Sequence, residues 1–303
     1  MKIEGKGIMK ELYYCVAGHV FSLELNDQTS SGDRLYQYEP FRVAPAEDAI
    51  FRLHILEEPF EDVAFQEELH QYDEGQEIVV GHLETGESYF EFWLGNRRSS
   101  VLLANKNHQD GTIYVENNWQ FGVNNAVMVM YALTTANKRT ALFHSSVVGH
   151  QGRAYMFLGH SGTGKSTHSS LWMKYIEGTE LVNDDNPVVR IGEGNEISVF
   201  GSPWSGKTPC YRNVSYPLGG IVSLSQAPYN EMHRLKGVKA YAALVASISG
   251  KRWDPQMAEG LHETEELLVR LAPIWHLDCL PDEAAARLSC KNCAHESEST
   301  AEQ

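Results

Sequence analysis

Eight consecutive residues, Gly159-His160-Ser161-Gly162-Thr163-Gly164-Lys165-Ser166, follow the pattern G-x-x-x-x-G-K-[S/T]. These residue types at this spacing suit the capture of a polyphosphate. Gly159, Gly162 and Gly164 allow positive φ and leave no Cβ in the way of an approaching anion. Their N–H groups can then converge on phosphate oxygens. Lys165 supplies a point charge on a flexible stem, and the Ser166 hydroxyl is a ligand for Mg²⁺. Residues 159–167, from Gly159 to Thr167, are therefore expected to bind the phosphates of ATP.

A second group of reactive types follows in Leu181-Val182-Asn183-Asp184-Asp185-Asn186-Pro187. Asn-Asp-Asp-Asn-Pro is good turn chemistry by itself. Two carboxylates at the end of a short apolar strand, soon after a phosphate-binding loop, also suit metal binding and proton transfer. His144 lies in the apolar stretch 141–148, where a lone histidine reads as a satisfied core residue unless other residues recruit it. Pro203-Trp204-Ser205-Gly206-Lys207 is an awkward set for a plain connection. Trp is costly to leave in water, and Gly206 beside Lys207 permits close backbone approach to an anion. This loop is expected to border the phosphate site, with Lys207 reaching the transferring group.

These residues need elements to position them. Ala154-Tyr155-Met156-Phe157-Leu158 is an unbroken apolar run, predicting a strand buried on both faces. After the loop, Leu171, Trp172, Tyr175 and Ile176 recur at helical spacing. The motif thus stands between a strand and a helix. Residues 141–148 read as one strand, which Gly149-His150-Gln151-Gly152 turns back into the strand that feeds the loop. Residues 124–138 predict a helix bridging two domains, and residues 238–249 and 256–271 predict two more. Short strands punctuated by Gly, Asn and Asp run from residue 11 to 115, apart from residues 57–76, which read as an acidic loop.

Composition narrows the function classes. The chain has 303 residues and a formal net charge of −15, with no run of Lys and Arg that would make a basic stripe. Nucleic-acid binding is not expected. Five cysteines at irregular spacing fit a reducing cytoplasm. Cys290-Lys291-Asn292-Cys293 has no second pair to complete a zinc site and is expected in a solvent-exposed tail. No apolar h-region opens the chain and no apolar stretch approaches a membrane span, so neither secretion nor membrane insertion is expected.

Taken together, the histidine before the loop, the Ser-Gly-Thr-Gly-Lys-Ser loop and the strand ending Asn-Asp-Asp resemble the catalytic domain of HPr serine kinase/phosphorylase. That domain shares its fold with ATP-dependent phosphoenolpyruvate carboxykinase. The resemblance covers roughly residues 141–288. It implies an α/β (α+β) fold, a carboxykinase-like P-loop mixed sheet with helices, preceded here by a β-rich domain. The expected boundaries are 1–120 for the β-rich domain, 121–290 for the nucleotide-binding domain and 291–303 for a polar tail.

The resemblance also implies roles. Lys165 and Ser166 match the phosphate-loop lysine and the metal-binding hydroxyl. Asp184 matches the general base on the acceptor hydroxyl, Asp185 the aspartate at the metal, and His144 the histidine near the transferred phosphate. The chain departs from the family in residues 215–220, which hold no Glu where the family has a metal-holding acid, and in His160, where the family has an acid. The expected activity is an ATP- and Mg²⁺-dependent serine kinase-like phosphotransferase. Catalysis falls to Asp184, His144, Lys165 and Lys207, with Arg212 as an alternative to Lys207 for offsetting charge. The acceptor is a hydroxyl of a protein, peptide or small molecule, and homo-oligomerisation is left open. The alternatives are a carboxykinase-like enzyme on a small organic acid and a catalytically silent nucleotide-binding regulatory protein.

Overall fold

Two units divide the chain, residues 1–134 and 135–303. The computed structural model describes residues 9–26, 34–73, 75–206 and 208–300. The fold is mixed α/β, with two large sheets and few helices.

The first unit contains β1 (Met9–Val16), β2 (His19–Asn26), β3 (Arg42–Val43), β4 (Arg52–Leu56), β5 (Gln66–Asp73), β6 (Gln76–His82), β7 (Ser88–Leu94), β8 (Arg97–Ala104), β9 (Asp110–Val115) and α1 (Trp119–Thr135). They form one sheet in the order β3-β1-β2-β4-β9-β8-β7-β6-β5. Strand β5 lies within the stretch expected to be an acidic loop. It is an edge strand exposed on both faces, so it carries no alternation of apolar and polar residues to reveal it. Helix α1 begins five residues earlier than its apolar stripe suggests, and it belongs to this unit rather than bridging two. The Tyr131 hydroxyl donates to Val16 O at 3.0 Å. A Cβ on Gly111 of β9 would lie 3.0 Å from Met130 Sδ, a tight contact, so the helix packs closely over this strand. The division between units accordingly falls at 134/135 rather than near residue 120.

The second unit contains β10 (Thr140–Leu142), β11 (Ser145–His150), β12 (Arg153–Leu158), α2 (Lys165–Tyr175), β13 (Glu180–Asn183), β14 (Val188–Ile191), β15 (Ile197–Phe200), β16 (Ser215–Gln226), β17 (Glu231–Arg234), α3 (Gly237–Val245), α4 (Pro255–Leu271), β18 (Ile274–Cys279) and α5 (Glu283–Thr300). The main path runs β10-β14-β15-β16-β12-β11-β13, and β18 joins β16 to β17. Strand β12 is parallel to β16 and antiparallel to β11. The antiparallel hairpin expected before the loop is therefore present. Its two-residue turn has positive φ at both Gln151 (49°) and Gly152 (73°), the twist-matched hairpin geometry.

The stretch expected as one strand over 141–148 is broken. Strand β10 pairs β14, while β11 pairs β12 and β13. Between them Phe143 bridges Ile248, and the His144 N–H donates to Ser247 O at 2.7 Å. His144 is therefore at a strand break, with its side chain 42 % exposed, rather than in an apolar strand.

The core under the glycine loop is built from Tyr155 and Phe157 of β12, Trp172 of α2, Val222 and Leu224 of β16, Trp275 and Leu277 of β18, and Ala286 and Cys293 of α5. Cys293 was expected in a solvent-exposed tail, and the structure places it in this core instead. Residues 283–300 form one helix, and Cys293 is fully buried. Ala286 and Cys293 lie seven residues apart, two helical turns, so one small-residue face of α5 packs on the sheet. The polar run beyond Cys293, with Glu296, Glu298 and Glu302, masked that face in the sequence.

Helices α2 and α5 are joined through Ser289. Trp172 Nε1 donates to Ser289 Oγ at 2.8 Å, and that hydroxyl donates to Ala286 O at 3.0 Å. A hydroxyl has one proton to give, so His168 Nε2, 2.9 Å away, must be the donor to it. His168 thus carries a proton on Nε2. Burial pushes its pKa from 6.5 down to about 4. The unfolded chain then binds the extra proton between roughly pH 6.5 and pH 4, and stability falls as the pH drops through that window. The linkage amounts to about 3 kcal/mol across it. Urea unfolding at pH 7 and pH 4.5 checks this. His168→Gln, which keeps a donor toward Ser289, is expected to lose markedly less stability on acidification than the parent. Equal losses would rule His168 out as the titrating group.

Among the described residues, no helix is long and apolar enough to cross a membrane.

Candidate active site

The pairing of β13 with β11 sets Asn183 opposite Val147. The chain leaving β13 thus crosses the start of β11, where the Ser145 N–H donates to Asp185 O at 2.9 Å. Ser146 Oγ donates to Asp184 Oδ1 at 2.7 Å. Its single proton is then used, so Ser169 Oγ of α2, 2.6 Å away, donates to it. Asp184 is 6 % exposed, and its Oδ2 is buried without a hydrogen-bond partner. A buried carboxylate oxygen without a donor is costly to keep. Such an atom is fitted for a cation or for the proton of an incoming hydroxyl.

The glycine loop, residues 159–164, connects β12 to α2. Gly159, Gly162 and Gly164 have φ of 153°, 77° and 108°, as their positions in the motif require. Gly164 is the N-cap of α2 and offers no side-chain cap, so the first turn keeps its N–H groups for another partner. His160, Ser161, Ser166 and Thr167 are exposed along this turn, and Thr163 is half-buried.

Lys165 folds back over the loop. Its Nζ donates to Gly159 O at 2.9 Å, to His160 O at 3.3 Å and to His144 Nε2 at 2.8 Å. Accepting at Nε2 places the imidazole proton on Nδ1, which lies 3.1 Å from Asp185 Oδ1. The row Lys165–His144–Asp185 therefore joins the loop to the acidic pair, with Asp185 holding the histidine tautomer. Asn186 Nδ2 donates to Asp185 Oδ2 at 2.7 Å, and the Asp185 N–H donates to Asn183 Oδ1 at 2.9 Å. Both Asp185 oxygens are thus engaged by side chains, whereas only one oxygen of Asp184 is.

The turn is stitched from below by the 201–206 loop. Buried Asn183 donates through Nδ2 to Ser202 Oγ at 3.1 Å and to Trp204 O at 3.0 Å. Ser202 Oγ lies 2.6 Å from Asn186 O, to which it donates. A Cβ on Gly206 would lie 3.0 Å from Asp184 O and 3.3 Å from Asp185 Cβ, so this glycine lies against the acidic pair. The loop therefore borders the turn. Trp204 is 3 % exposed and supports it from within the core. Lys207 lies outside the described residues.

Arg212 is committed elsewhere. It donates to Leu181 O at 2.6 Å and pairs with Glu180 at 2.7 Å, and Tyr216 also hydrogen-bonds Glu180. Hydrogen bonds from Tyr216 and Arg212 hold the Glu180 carboxyl below its usual range. The guanidinium expected to offset charge on a transferring group serves this ion pair instead.

Besides Asn183 of the turn, four polar residues join the site without having been singled out. Ser146, Ser169, Asn183 and Ser202 support the acidic turn. Gln226 donates to Gly162 O at 3.1 Å and to Thr163 O at 3.4 Å. Ser145-Ser146 in an otherwise apolar strand was a signal available in the sequence. Ser169 and Gln226 carried none, since their partners are set by sheet order.

No protein-family model matches the chain, and no curated protein matches it. Among the described residues no three His, Cys, Asp or Glu side chains are grouped to hold a metal on their own. Mg²⁺ does not require such a cage, because it commonly binds one or two carboxylates together with substrate phosphates. The Asp185 carboxylate and the exposed Ser166 hydroxyl are oxygen ligands of the right kind for it.

Proposed function

We propose that the chain is an ATP- and Mg²⁺-dependent phosphotransferase of the HPr kinase-like group, moving the γ-phosphoryl group to a hydroxyl of a protein or peptide serine. The observation that carries this reading is the row Lys165–His144–Asp185, with contacts of 2.8 Å and 3.1 Å, which links a glycine loop to two adjacent carboxylates. Phosphoryl transfer asks mainly for positioning and charge stabilisation, and a preset row of this kind supports both.

In this reading the loop N–H groups and Lys165 hold the phosphates. The 3.3 Å contact of Lys165 to His160 O is longer than those to Gly159 O and His144 and is the natural one to yield to a phosphate oxygen. His144 keeps the ammonium aimed along the row. Ser166 and Asp185 would hold Mg²⁺, which offsets phosphate charge when bound. Asp184 takes the proton of the attacking hydroxyl. Ser146 fixes one carboxylate oxygen and leaves the other without a donor, which supports that role.

The test is labelled transfer from γ-labelled ATP with Mg²⁺, offering seryl peptides, small alcohols and oxaloacetate as acceptors. Label on a hydroxyl, or slow transfer of the labelled phosphoryl group to water as inorganic phosphate with ADP as leaving group, is the expected result. ADP formation that depends on oxaloacetate, or none under any condition, would sink the reading.

A further inference from the structure

We propose that the cleft beside the glycine loop seats the nucleobase of the bound nucleotide, and that it does so by apolar contact. This rests on the phosphate-binding reading above. The cleft has a volume of about 590 Å³, within the range of roughly 300–1,000 Å³ usual for small-molecule sites. Its floor is the loop itself, at Gly162, Thr163 and Gly164. None of Lys165, His144, Asp184 or Asp185 lines it. The loop thus has a reacting side, where Lys165 meets His144, and a second side facing the cleft. A triphosphate anchored with its terminal group at Lys165 extends along the loop, and what it carries at its other end has this cleft to enter.

The walls suit an aromatic ring. Leu171 of α2, Leu224 of β16, Ala227 and Pro228 after that strand, and Leu280 and Pro281 after β18 supply them. These positions are brought together by one local arrangement. Strands β16 and β18 are parallel neighbours, with Gln226 opposite Cys279, so both chains leave the sheet at the same level. The Ala227 N–H donates to Cys279 O at 3.1 Å and keeps the two exits side by side. Thr163 and Thr167 line the cleft at its loop end, and His168, Gln226 and Cys279 are its other polar side chains. His168 is tied to Ser289, and Gln226 reaches the loop at Gly162 O and Thr163 O. A base held there gains affinity from buried area rather than from hydrogen bonds to its edge. ATP and GTP should therefore bind alike, and both better than a triphosphate without a base. A hydrophobic pocket discriminates weakly between isosteres, whereas a site built of buried polar groups discriminates strongly.

The experiment measures binding of Mg·ATP, Mg·GTP and Mg·tripolyphosphate by calorimetry to the parent, to Ala227→Trp, which fills the cleft, and to Leu280→Ala, which removes wall without adding bulk. The parent is expected to bind ATP and GTP within about threefold of each other and at least tenfold more tightly than tripolyphosphate. Ala227→Trp should erase that tenfold advantage and leave tripolyphosphate binding unchanged. Leu280→Ala should reduce the advantage severalfold. Melting curves without ligand establish that each variant is folded. Should Ala227→Trp fail to fold, Leu280→Ala alone decides. An undiminished preference for ATP over tripolyphosphate in a folded variant overturns the cleft assignment and leaves the phosphate loop standing. A preference for ATP over GTP of a hundredfold overturns recognition by apolar contact. If neither nucleotide nor tripolyphosphate binds the parent, the phosphate-binding reading fails and this assignment falls with it.

Discussion

Asp184→Asn is expected to lower phosphoryl transfer by roughly 10²–10⁴-fold, the span for loss of general-base help. ATP binding should be nearly unchanged. Asparagine keeps the shape of the side chain, and its Oδ1 can still accept from Ser146 Oγ, which stands 2.7 Å from Asp184 Oδ1. What is removed is the charge and the proton-accepting oxygen that has no donor in the protein. Stability should respond in the opposite direction. An incompletely paired buried carboxylate costs more than a neutral amide of the same size, so the melting temperature of the variant should equal or exceed that of the parent. Function and stability commonly oppose each other at such positions. Rapid-quench transfer assays and melting curves on the same preparations decide the matter. A variant that melts several degrees lower and loses activity in step would show that Asp184 only holds the turn.

Lys165→Ala is expected to abolish the stabilisation that Mg·ATP confers. A ligand at a hundredfold excess over its Kd stabilises the native state by about 2.7 kcal/mol, which corresponds to roughly 5–10 °C for a unit of this size. Lys165 is the cation at the end of the loop, and its contacts to His144, Gly159 O and His160 O place Nζ at the junction of loop and acidic pair. Without it the loop retains its N–H groups but no charge at the terminal phosphate. Thermal denaturation with and without millimolar Mg·ATP reads the effect. A full ATP-dependent rise in the alanine variant would remove Lys165 from the binding site and with it the argument for the row Lys165–His144–Asp185.

Some of this protein follows from its sequence alone, and the reason is that the determinants are local. The strand before the loop, the positive φ of Gly159, Gly162 and Gly164, and the helix after it depend on residue types within about twenty positions of one another. The turn chemistry of Asn183-Asp184-Asp185-Asn186 is equally local, down to the Asn183 side chain accepting from the Asp185 N–H. The β11–β12 hairpin was legible for the same reason.

Tertiary structure decided what the sequence could not. His144 meets Lys165 across 21 residues, Ser146 meets Asp184 across 38, and Ser146 meets Ser169 across 23. Each meeting depends on β11 lying between β12 and β13 with one particular register, and a slip of one residue would turn Ser146 to the other face. The break at Phe143–His144 is set by Ile248, more than a hundred residues away. The burial of Cys293 required α5 to lie on the sheet, a packing decided by two small residues on one helical face and invisible in the surrounding charge. Local chemistry wrote the loop and the turn, and strand order and register brought a histidine and two serines between them.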